Sequence, residues 1–372
     1  MKKNIICIAV SMIAAAFLLG SCGKSNSEED ASAHREYLAV GLSNSSHKWS
    51  IIDKEGNVIV ETEYPTTGVD ISNVFDDVYW VRSNGRCQLF SVNQPNQPLL
   101  DEEQANVADF IYCGYTFVAT RQQPIRIINT KGETVATLPE SIRECHSFGK
   151  DGYALIKDKN QKFGVVDTSG KILIEPAYAN LQPLGEGIFL TGYQFLDAQG
   201  NILGEIDHQK YTVINLGIED GKFVVHDANY HNPQCHVIST KGEQLFTIKA
   251  EAKNASYYKS GYTIIQNSYG QWGVADDRGT VVIAPQYQSL FPLGNGEFLA
   301  CKEWRGNYGV INAKNEIVID FNYNGSSVPE KVGDNFIMGR NYEHVLVNKQ
   351  GAELATFKKI GQVERPVAYY LR

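Results

Sequence analysis

The densest group of residues that could do chemistry is a histidine-rich segment near the middle of the chain. His226, His231 and His236 lie close together in sequence, and Cys235 precedes the last of them. Imidazole and thiolate groups are ligands that Zn²⁺ prefers, so one hairpin could bring several of them to a metal ion. No CxxC pair and no carboxylate at a matching spacing accompanies them, and an exposed turn accounts for the same residues. The turn is the favoured interpretation, these histidines are the metal-site alternative, and the sequence predicts no cofactor.

Aspartates recur at one fixed position and could be read as catalytic acids or calcium ligands. Asp53, Asp167, Asp197 and Asp276 each stand three residues before a glycine, at the end of a Val/Ile-rich run. An aspartate at this position accepts the backbone N–H group two residues later, and the glycine takes the positive φ that closes the turn. We therefore predict that these aspartates form turns.

Two tryptophans depart from the phase of the others and are candidates for ligand binding. Trp304 lies between Glu303 and Arg305 in a predicted turn, and Trp80 lies on a predicted strand. An exposed indole ring can stack on a sugar or on a protein partner, but packing in the core is the favoured interpretation.

Common catalytic signatures are absent from the chain. The sequence contains no Gly-x-Ser-x-Gly, no glycine-rich phosphate loop and no His-Glu-x-x-His. It therefore predicts no catalytic residue and a protein that is not an enzyme. An enzyme whose catalytic residues are scattered over loops remains the alternative.

Composition indicates a folded protein rich in strands. The 372 residues are 43% hydrophobic and only 20% charged, with abundant tyrosine. The formal charge of −8 becomes −10 when the two signal lysines described below are removed, so nucleic acid is not an expected partner. Five cysteines fall in or beside predicted strands, and their odd number and spacing predict free thiols: Cys87, Cys113, Cys145, Cys235 and Cys301.

Residues 1–21 have the pattern of a signal peptide. Lys2 and Lys3 precede an apolar run from Ile5 to Leu18, which is too short for a comfortable membrane span. The following Leu19-Gly20-Ser21-Cys22 resembles the bacterial lipobox, and an ordinary secretory signal is the alternative. The resemblance implies cleavage before Cys22, acylation of its thiol and amine, and a membrane anchor made by these chains. Gly23, which is not aspartate, favours the outer membrane.

Residues 22–36 are predicted to be a flexible tether after the lipidated cysteine. They are small, polar and charged, with Glu28-Glu29-Asp30 at the centre. Such an acidic run resembles the surface-export signals of some Gram-negative anaerobes, so the surface-facing and periplasmic orientations both remain open.

Residues 37–372 contain about nine copies of one unit. Two strand-like runs are joined by Asp or Asn, two residues, and Gly, with a mean spacing of about 37 residues. A degenerate copy, Gln88–Pro98, completes the series. The marker positions share this turn chemistry: Gly56, Gly132, Gly170, Gly200, Gly242, Gly279, Asn315 and Gly351.

Three copies resemble the WG (Trp-Gly) repeat. They begin at Trp272-Gly273, Phe163-Gly164 and Tyr308-Gly309, and the first two continue to Asp276 and Gly279 or to Asp167 and Gly170. Trp49-Ser50 has lost the glycine. The resemblance implies a binding or scaffold module, with these residues as structural repeat positions.

The unit's strand order predicts an all-β fold, a β-propeller. We expect strands a (Ser289–Leu293), b (Glu297–Lys302), c (Asn307–Asn312) and d (Glu316–Asp320), the order of a four-stranded blade. Val367–Leu371 is expected to complete the first blade and close the ring. The alternatives are an open β-solenoid, or a ring in which the units around 84–100 and 194–204 are not full blades.

The expected function is therefore binding without catalysis. We expect a lipid-anchored protein of the cell envelope whose partners are the membrane, through Cys22, and an unidentified protein or glycan. A propeller enzyme that acts on an envelope or extracellular glycan is the alternative.

Overall fold

The repeat region is built from short antiparallel strands. The computed structural model describes residues 36–360 apart from 43–46, 73, 108–110, 112, 121–122, 229–233, 250–253 and 325–330. The signal segment, the tether before Glu36 and the predicted closing strand Val367–Leu371 therefore lie outside the described residues. Within the described ranges every regular element is a strand.

The strands group into nine units that follow one another along the chain. Unit 1 contains β1 (Tyr37–Leu42), β2 (Lys48–Asp53) and β3 (Val58–Pro65). Unit 2 contains β4 (Asp70–Ile71), β5 (Val78–Ser83), β6 (Arg86–Ser91) and β7 (Leu100–Glu103). Unit 3 contains β8 (Ala105–Val107), β9 (Tyr115–Thr120), β10 (Arg126–Asn129) and β11 (Thr134–Thr137). Units 4 to 6 contain β12 (Ile142–Cys145), β13 (Tyr153–Asp158), β14 (Phe163–Asp167), β15 (Ile172–Tyr178); β16 (Gln182–Gly185), β17 (Ile188–Thr191), β18 (Gln194–Leu196), β19 (Ile202–Glu205); β20 (Tyr211–Glu219), β21 (Lys222–Asp227), β22 (Cys235–Ser239) and β23 (Gln244–Thr247). Units 7 to 9 contain β24 (Asn254–Lys259), β25 (Tyr262–Gln266), β26 (Trp272–Ala275), β27 (Val281–Tyr287); β28 (Ser289–Gly294), β29 (Glu297–Cys301), β30 (Tyr308–Asn312), β31 (Ile317–Tyr323); β32 (Lys331–Val332), β33 (Asn335–Arg340), β34 (Glu343–Val347) and β35 (Glu353–Ile360).

Each unit is one propeller blade. In units 2 to 9 the four strands pair in sequence order as a, b, c and d, and in unit 1 the strands β1, β2 and β3 take positions b, c and d. The units around 84–100 and 194–204 each form a complete four-stranded sheet, so the alternative that they are not full blades is wrong. The predicted strand bounds in unit 8 agree with β28–β31 to within a few residues.

The c–d turns have the predicted chemistry. In unit 4, the Asp167 carboxylate accepts hydrogen bonds from the backbone N–H groups of Ser169 at 2.9 Å and Lys171 at 3.0 Å. The N–H of Gly170, at a φ of 84°, donates to the carbonyl oxygen of Asp167 at 3.0 Å. Asp276 receives the same pair of bonds in unit 7. These side chains are occupied in holding the hairpin together.

The glycine of the Trp-Gly pair makes room for a bulge in strand d. Trp272 pairs with Tyr287 and Val274 pairs with Ile283, so three residues of strand d lie opposite Gly273. A Cβ atom on Gly273 would lie 2.7 Å from the nitrogen of Pro285, a distance that real Cβ atoms do not show. The corresponding distance is 2.9 Å from Gly164 to the nitrogen of Pro176, and a Cβ on Gly309 would lie 2.6 Å from the carbonyl oxygen of Ile319. Pro176 and Pro285 thus lie within the outer strands of their blades, β15 and β27.

The core is divided among nine seams, one between each pair of neighbouring blades in the described part of the chain. Eight hydrophobic clusters join unit 1 to 2, 2 to 3 and so on to unit 9. The ninth joins unit 9 back to unit 1, because it contains Ile337, Leu346 and Phe357 together with Leu38 and Val40. An open solenoid has no such contact between its ends, since each repeat touches only its neighbours.

Strand pairing also closes the ring. The first half of β35 pairs with β34 as strand d of unit 9, and its last residues pair with β1: Val40 faces Ile360 and Leu42 faces Phe357. The end of β35 thus takes position a in unit 1. The predicted closed propeller is confirmed, with the described closure made by Phe357–Ile360, upstream of the segment that was expected to make it.

Candidate binding surface

The blades present two different faces. Because the strands of a blade alternate in direction, the a–b and c–d turns lie at one end, the ab face, and the b–c turns and d–a connections lie at the other, the bc face. Hydrogen bonds between loops agree with this arrangement. The backbone N–H of Asn341, in a b–c turn, donates to the side-chain oxygen of Asn324, in a d–a connection, at 2.9 Å.

Trp304 projects from the bc face. It lies in the b–c turn of unit 8 and its side chain is 74% exposed. The N–H of Gly306 donates to the carbonyl oxygen of Glu303 at 2.9 Å, and Arg305 has a φ of 58°. This tight turn fixes the backbone on both sides of the indole. Trp304 is therefore exposed on the surface and is not packed in the core.

Three more aromatic residues occupy b–c turns on the same face. Tyr269 in unit 7 is 87% exposed, Tyr342 in unit 9 is fully exposed, and Tyr193 in unit 5 is 41% exposed with its ring 5.4 Å from that of His208. Sequence reasoning missed all three. The signal was present, because each tyrosine lies just before a strand c whose terminal turn the sequence already marks.

Trp80 has a different environment from Trp304. It lies on β5 with no exposed surface, in the cluster between units 2 and 3 that also contains Leu89, Val118 and Ile128. A ring in this position cannot stack on a ligand without opening the seam. Trp80 belongs to the core, which corrects its selection as a ligand-binding candidate.

The aromatic residues at the start of strand c pack between blades. Trp49 is buried between units 1 and 2, and its Nε1 donates to the carbonyl oxygen of Val69 at 3.0 Å. Trp272 packs against the cluster between units 7 and 8, Tyr308 against the one between units 8 and 9, and Phe163 against the one between units 4 and 5.

The described histidines of the candidate metal site do not converge. His226 and His236 lie on the neighbouring strands β21 and β22, but His226 pairs with Cys235 and Val225 pairs with His236. The two histidines therefore point to opposite faces of the sheet. His236 is buried between Asp227 Oδ1, 2.9 Å from Nε2, and Thr247 Oγ1, 3.0 Å from Nδ1. His231 lies outside the described residues. His226 and His236 cannot share a metal in this geometry.

Carboxylates on the ab face join neighbouring blades. Asp151 accepts from the N–H of Gly187 at 2.7 Å, and Glu186 accepts from the N–H groups of Asp220 at 2.6 Å and Gly221 at 2.9 Å. Each bond runs from one a–b turn to the next around the ring. Two further links have the same form: Asp76 with Gly114, and Glu219 with Ser260.

Burial changes the acidity of several groups. It raises the pKa of the Asp76 and Asp151 carboxyl groups, although the hydrogen bonds that these groups accept from backbone N–H groups act to lower it. It also raises the pKa of the Cys145 and Cys235 thiols to about 12. None of the five described cysteines from Cys87 to Cys301 forms a disulfide bond. Neutral thiols with such high pKa values are poor nucleophiles and metal ligands.

Among the residues that the structure describes, no three His, Cys, Asp or Glu side chains lie close enough together to hold a metal ion. In the same residues, no helix has the length and apolar character needed to cross a bilayer. The set of exposed aromatic rings on the bc face is a feature of the described surface that points to a ligand.

Parts of the sequence match a known repeat family. Four segments match the family described as "WG containing repeat": residues 49–87, 163–191, 272–302 and 308–327. They include the three pairs identified from the sequence and also the Trp49-Ser50 copy. No curated protein matches the chain.

Solved structures resemble the chain at low identity. BamB from Moraxella catarrhalis has 12% identity and a TM-score of 0.38, covering 88% of this chain and 92% of its own. The dihydro-heme d1 dehydrogenase NirN has 13% identity and a TM-score of 0.42, covering 79% and 74%. The C-terminal WD40 domain of Sif2 has 10% identity and a TM-score of 0.37, covering 85% and 84%. Because these TM-scores are below 0.5, the propeller assignment depends on strand order and ring closure.

Proposed function

We propose that this protein is a non-catalytic binding module of the bacterial cell envelope, anchored to the outer membrane by lipid on Cys22. Its bc face would engage a macromolecular partner, and its nine blades would hold that face rigid. The observation that supports this proposal most directly is the exposure of aromatic rings at equivalent turns of neighbouring blades, with Trp304 74% exposed. Exposed aromatic residues on a rigid surface are typical of binding sites.

Several carboxylates of the described residues already have partners within the fold, which supports a binding role. The carboxylates Asp151 and Glu186 on the ab face accept hydrogen bonds from backbone N–H groups, and the Asp227 carboxylate lies within hydrogen-bond distance of His236 Nε2. A catalytic pair requires two groups aimed at a common substrate atom. The alternative is a propeller enzyme that acts on a glycan. If the purified protein hydrolysed or otherwise converted an envelope polysaccharide, the non-catalytic proposal would be refuted.

The binding proposal can be tested with material from the cell envelope. The part of the mature chain after the lipidated cysteine, Gly23 to Arg372, is immobilised beside its Trp304→Ala and Ile317→Ala variants. Ile317→Ala removes a 52% exposed apolar side chain from an outer strand of the same blade. We expect wild type and Ile317→Ala to retain the same envelope component, and Trp304→Ala to retain much less. Equal retention by all three proteins, or retention of nothing, would contradict the proposal.

The anchor is tested separately. With Cys22→Ser, no thiol is available for acylation, and we expect the protein to move from the membrane fraction to the soluble fraction. Membrane retention at the wild-type level would contradict lipid anchoring through Cys22. Digestion of intact cells by an added protease would then distinguish a surface-facing from a periplasmic orientation.

A further inference from the structure

The aromatic rings of units 7, 8 and 9 form a regular series. Tyr269, Trp304 and Tyr342 each lie in the b–c turn, on three consecutive blades of the bc face. Sheets that pack face to face lie about 10 Å apart, and blades diverge outward from the propeller axis. Neighbouring rings are therefore separated by roughly 10 Å or more. This series is named the aromatic arc.

Each ring of the arc stands on a turn whose backbone is fixed. The N–H of Tyr269 donates to the Asn267 side chain at 3.0 Å, and the N–H of Gly270 donates to the Asn267 carbonyl oxygen at 3.1 Å. Asn341, next to Tyr342, is held by Asn324 through a hydrogen bond from its N–H and one to its side-chain oxygen, both of 2.9 Å. Binding at these turns loses little backbone entropy, because the turns are ordered in advance.

The surroundings of the arc are polar and nearly balanced in charge. The turn from Gln266 to Gln271 contains no charged residue. In the neighbouring turns, Glu303 and Arg305 flank Trp304 with opposite charges. Lys302 lies over the Phe321 ring at 4.6 Å, and Arg340 is paired with Glu353 at 2.9 Å. Cations that already have partners in the fold contribute little to attracting an anionic ligand.

Separate flat rings with amides between them fit one kind of ligand better than others. A protein interface needs a contiguous apolar core, whereas these rings are separated by polar turns. A pyranose places the C–H groups of one face on an aromatic ring while its hydroxyl groups bond to amides and water. A polysaccharide repeats this arrangement along its length, as the blades repeat the rings.

We infer that the aromatic arc binds a linear polysaccharide of uncharged sugars, with sugars of one chain stacked on successive rings. This inference rests on the proposed binding function and names its ligand class. A short oligosaccharide reaches one ring, but a longer one reaches two or three. Each additional contact on the same chain is intramolecular, so affinity rises steeply with chain length.

The test uses the full-length protein in detergent and affinity electrophoresis through gels that contain soluble dextran, mannan, laminarin or xylan. We expect at least one polymer to retard the protein, equally at low and high salt. Oligosaccharides cut from that polymer should compete at least 100-fold better at eight or more sugar units than at two. Retardation by none of the polymers, or equal competition by short and long fragments, would overturn the inference.

Variants locate the binding to the arc. Tyr269→Ala, Trp304→Ala and Tyr342→Ala are each expected to weaken retardation at least tenfold and to reduce the dependence on chain length. Ile317→Ala is the control for loss of an exposed apolar side chain elsewhere on the same blade. If the three variants retain wild-type binding, the inference is wrong. If Trp304-dependent capture of an envelope protein occurs without any polysaccharide binding, the inference fails while the proposed binding function stands.

Discussion

A Cβ atom on Gly56 would lie 2.7 Å from the carbonyl oxygen of Leu354, so the turn of the first blade lies directly against the outer strand of the last. The same relationship joins consecutive blades elsewhere, since a Cβ on Gly132 would lie 2.6 Å from the carbonyl oxygen of Leu99. In unit 8, where Asn315 replaces the glycine, its side chain accepts a hydrogen bond of 2.7 Å from the Tyr287 hydroxyl of unit 7. The turn residue thus closes its own hairpin and also seals the seam with the preceding blade.

This double role predicts different costs at two glycines with the same backbone conformation. Gly132 and Gly351 have φ values of 78° and 80°, but nothing lies within 4 Å of a Cβ on Gly351. Gly351→Ala should cost only the strain of a left-handed residue, about 1–2 kcal/mol. Gly132→Ala should cost clearly more, because the seam with Leu99 must open. Chemical denaturation of both variants measures the difference, and equal losses would show that the seam contact is unimportant.

Closure of the ring predicts that a destabilising substitution in the last blade also destabilises the first blade. Phe357 is fully buried in the cluster that joins unit 9 to unit 1, and Phe357→Ala should cost about 3–5 kcal/mol. We expect faster amide exchange in β1 as well as in β34. Phe223→Ala is the matched control, because Phe223 is equally buried in the seam between units 5 and 6. Unchanged protection of Tyr37–Leu42 in the Phe357 variant would contradict a closed ring.

The local structure of the repeat could be predicted because its causes are local. The aspartate and glycine of each c–d turn act within five residues, and both the hairpins and the strand order followed from them. The effect of Ser50 was harder to foresee. Ser50 pairs with Glu61, and the bulge of strand d lies opposite Trp49, one residue earlier than in the Trp-Gly copies. This shift of the bulge depends on how strand c packs against strand d, and the spacing of residues along the chain carries no information about that packing.

The candidate site was predicted only in part, for a similar reason. Trp304 is marked by charged neighbours, which favour an exposed turn. Trp80 is surrounded by hydrophobic residues in sequence, and its complete burial depends on unit 3, which supplies Val118 and Ile128. The histidines depend on the pairing register of β21 and β22, which the sequence did not predict. His226 pairs with Cys235 and not with His236, so the two histidines lie on opposite faces of the sheet.

Two aspartates of unit 4 are expected to give opposite pH dependences. Burial raises the pKa of Asp151, so the folded state binds its proton more readily than the unfolded state. Its unfavourable contribution is complete at neutral pH and disappears as the pH falls through the folded-state pKa. Asp151→Asn keeps an acceptor for Gly187 and removes the charge. We therefore expect a higher melting temperature than wild type at pH 7, with the difference shrinking toward acid pH.

Asp158 serves as the control of opposite sign. Backbone hydrogen bonds, first that from Lys162, lower its pKa below the ordinary value of 3.8. A lowered pKa means stabilisation that is present above the unfolded-state pKa and is lost as the pH falls. Asp158→Asn should therefore melt below wild type at pH 7, and the two should converge at acid pH. Melting temperatures of both variants between pH 3 and pH 8 test this pair, and shifts of the same sign would refute the assignment.

The ion pair between Lys331 and Glu297 predicts an asymmetry between its two partners. Lys331, on β32 of unit 9, is buried with only 2% of its side chain exposed and contacts Glu297, on β29 of unit 8. Glu297→Ala leaves the Lys331 ammonium buried without that carboxylate and should cost about 3–5 kcal/mol. Lys331→Met removes the charge and fills similar volume, and Glu297 still has Lys349 at 3.4 Å. Replacement of a buried charge by an apolar side chain is often neutral.

We therefore expect Lys331→Met to unfold within about 1 kcal/mol of wild type, and the double variant Glu297→Ala, Lys331→Met to recover most of the stability lost by Glu297→Ala alone. Denaturation curves of the three variants and wild type form a double-mutant cycle, and the coupling free energy is the quantity of interest. If the pair mainly supplies stability, Lys331→Met would be as damaging as Glu297→Ala and the double variant no better. Recovery would mean that the charge on Lys331 makes Glu297 necessary at the seam between blades 8 and 9.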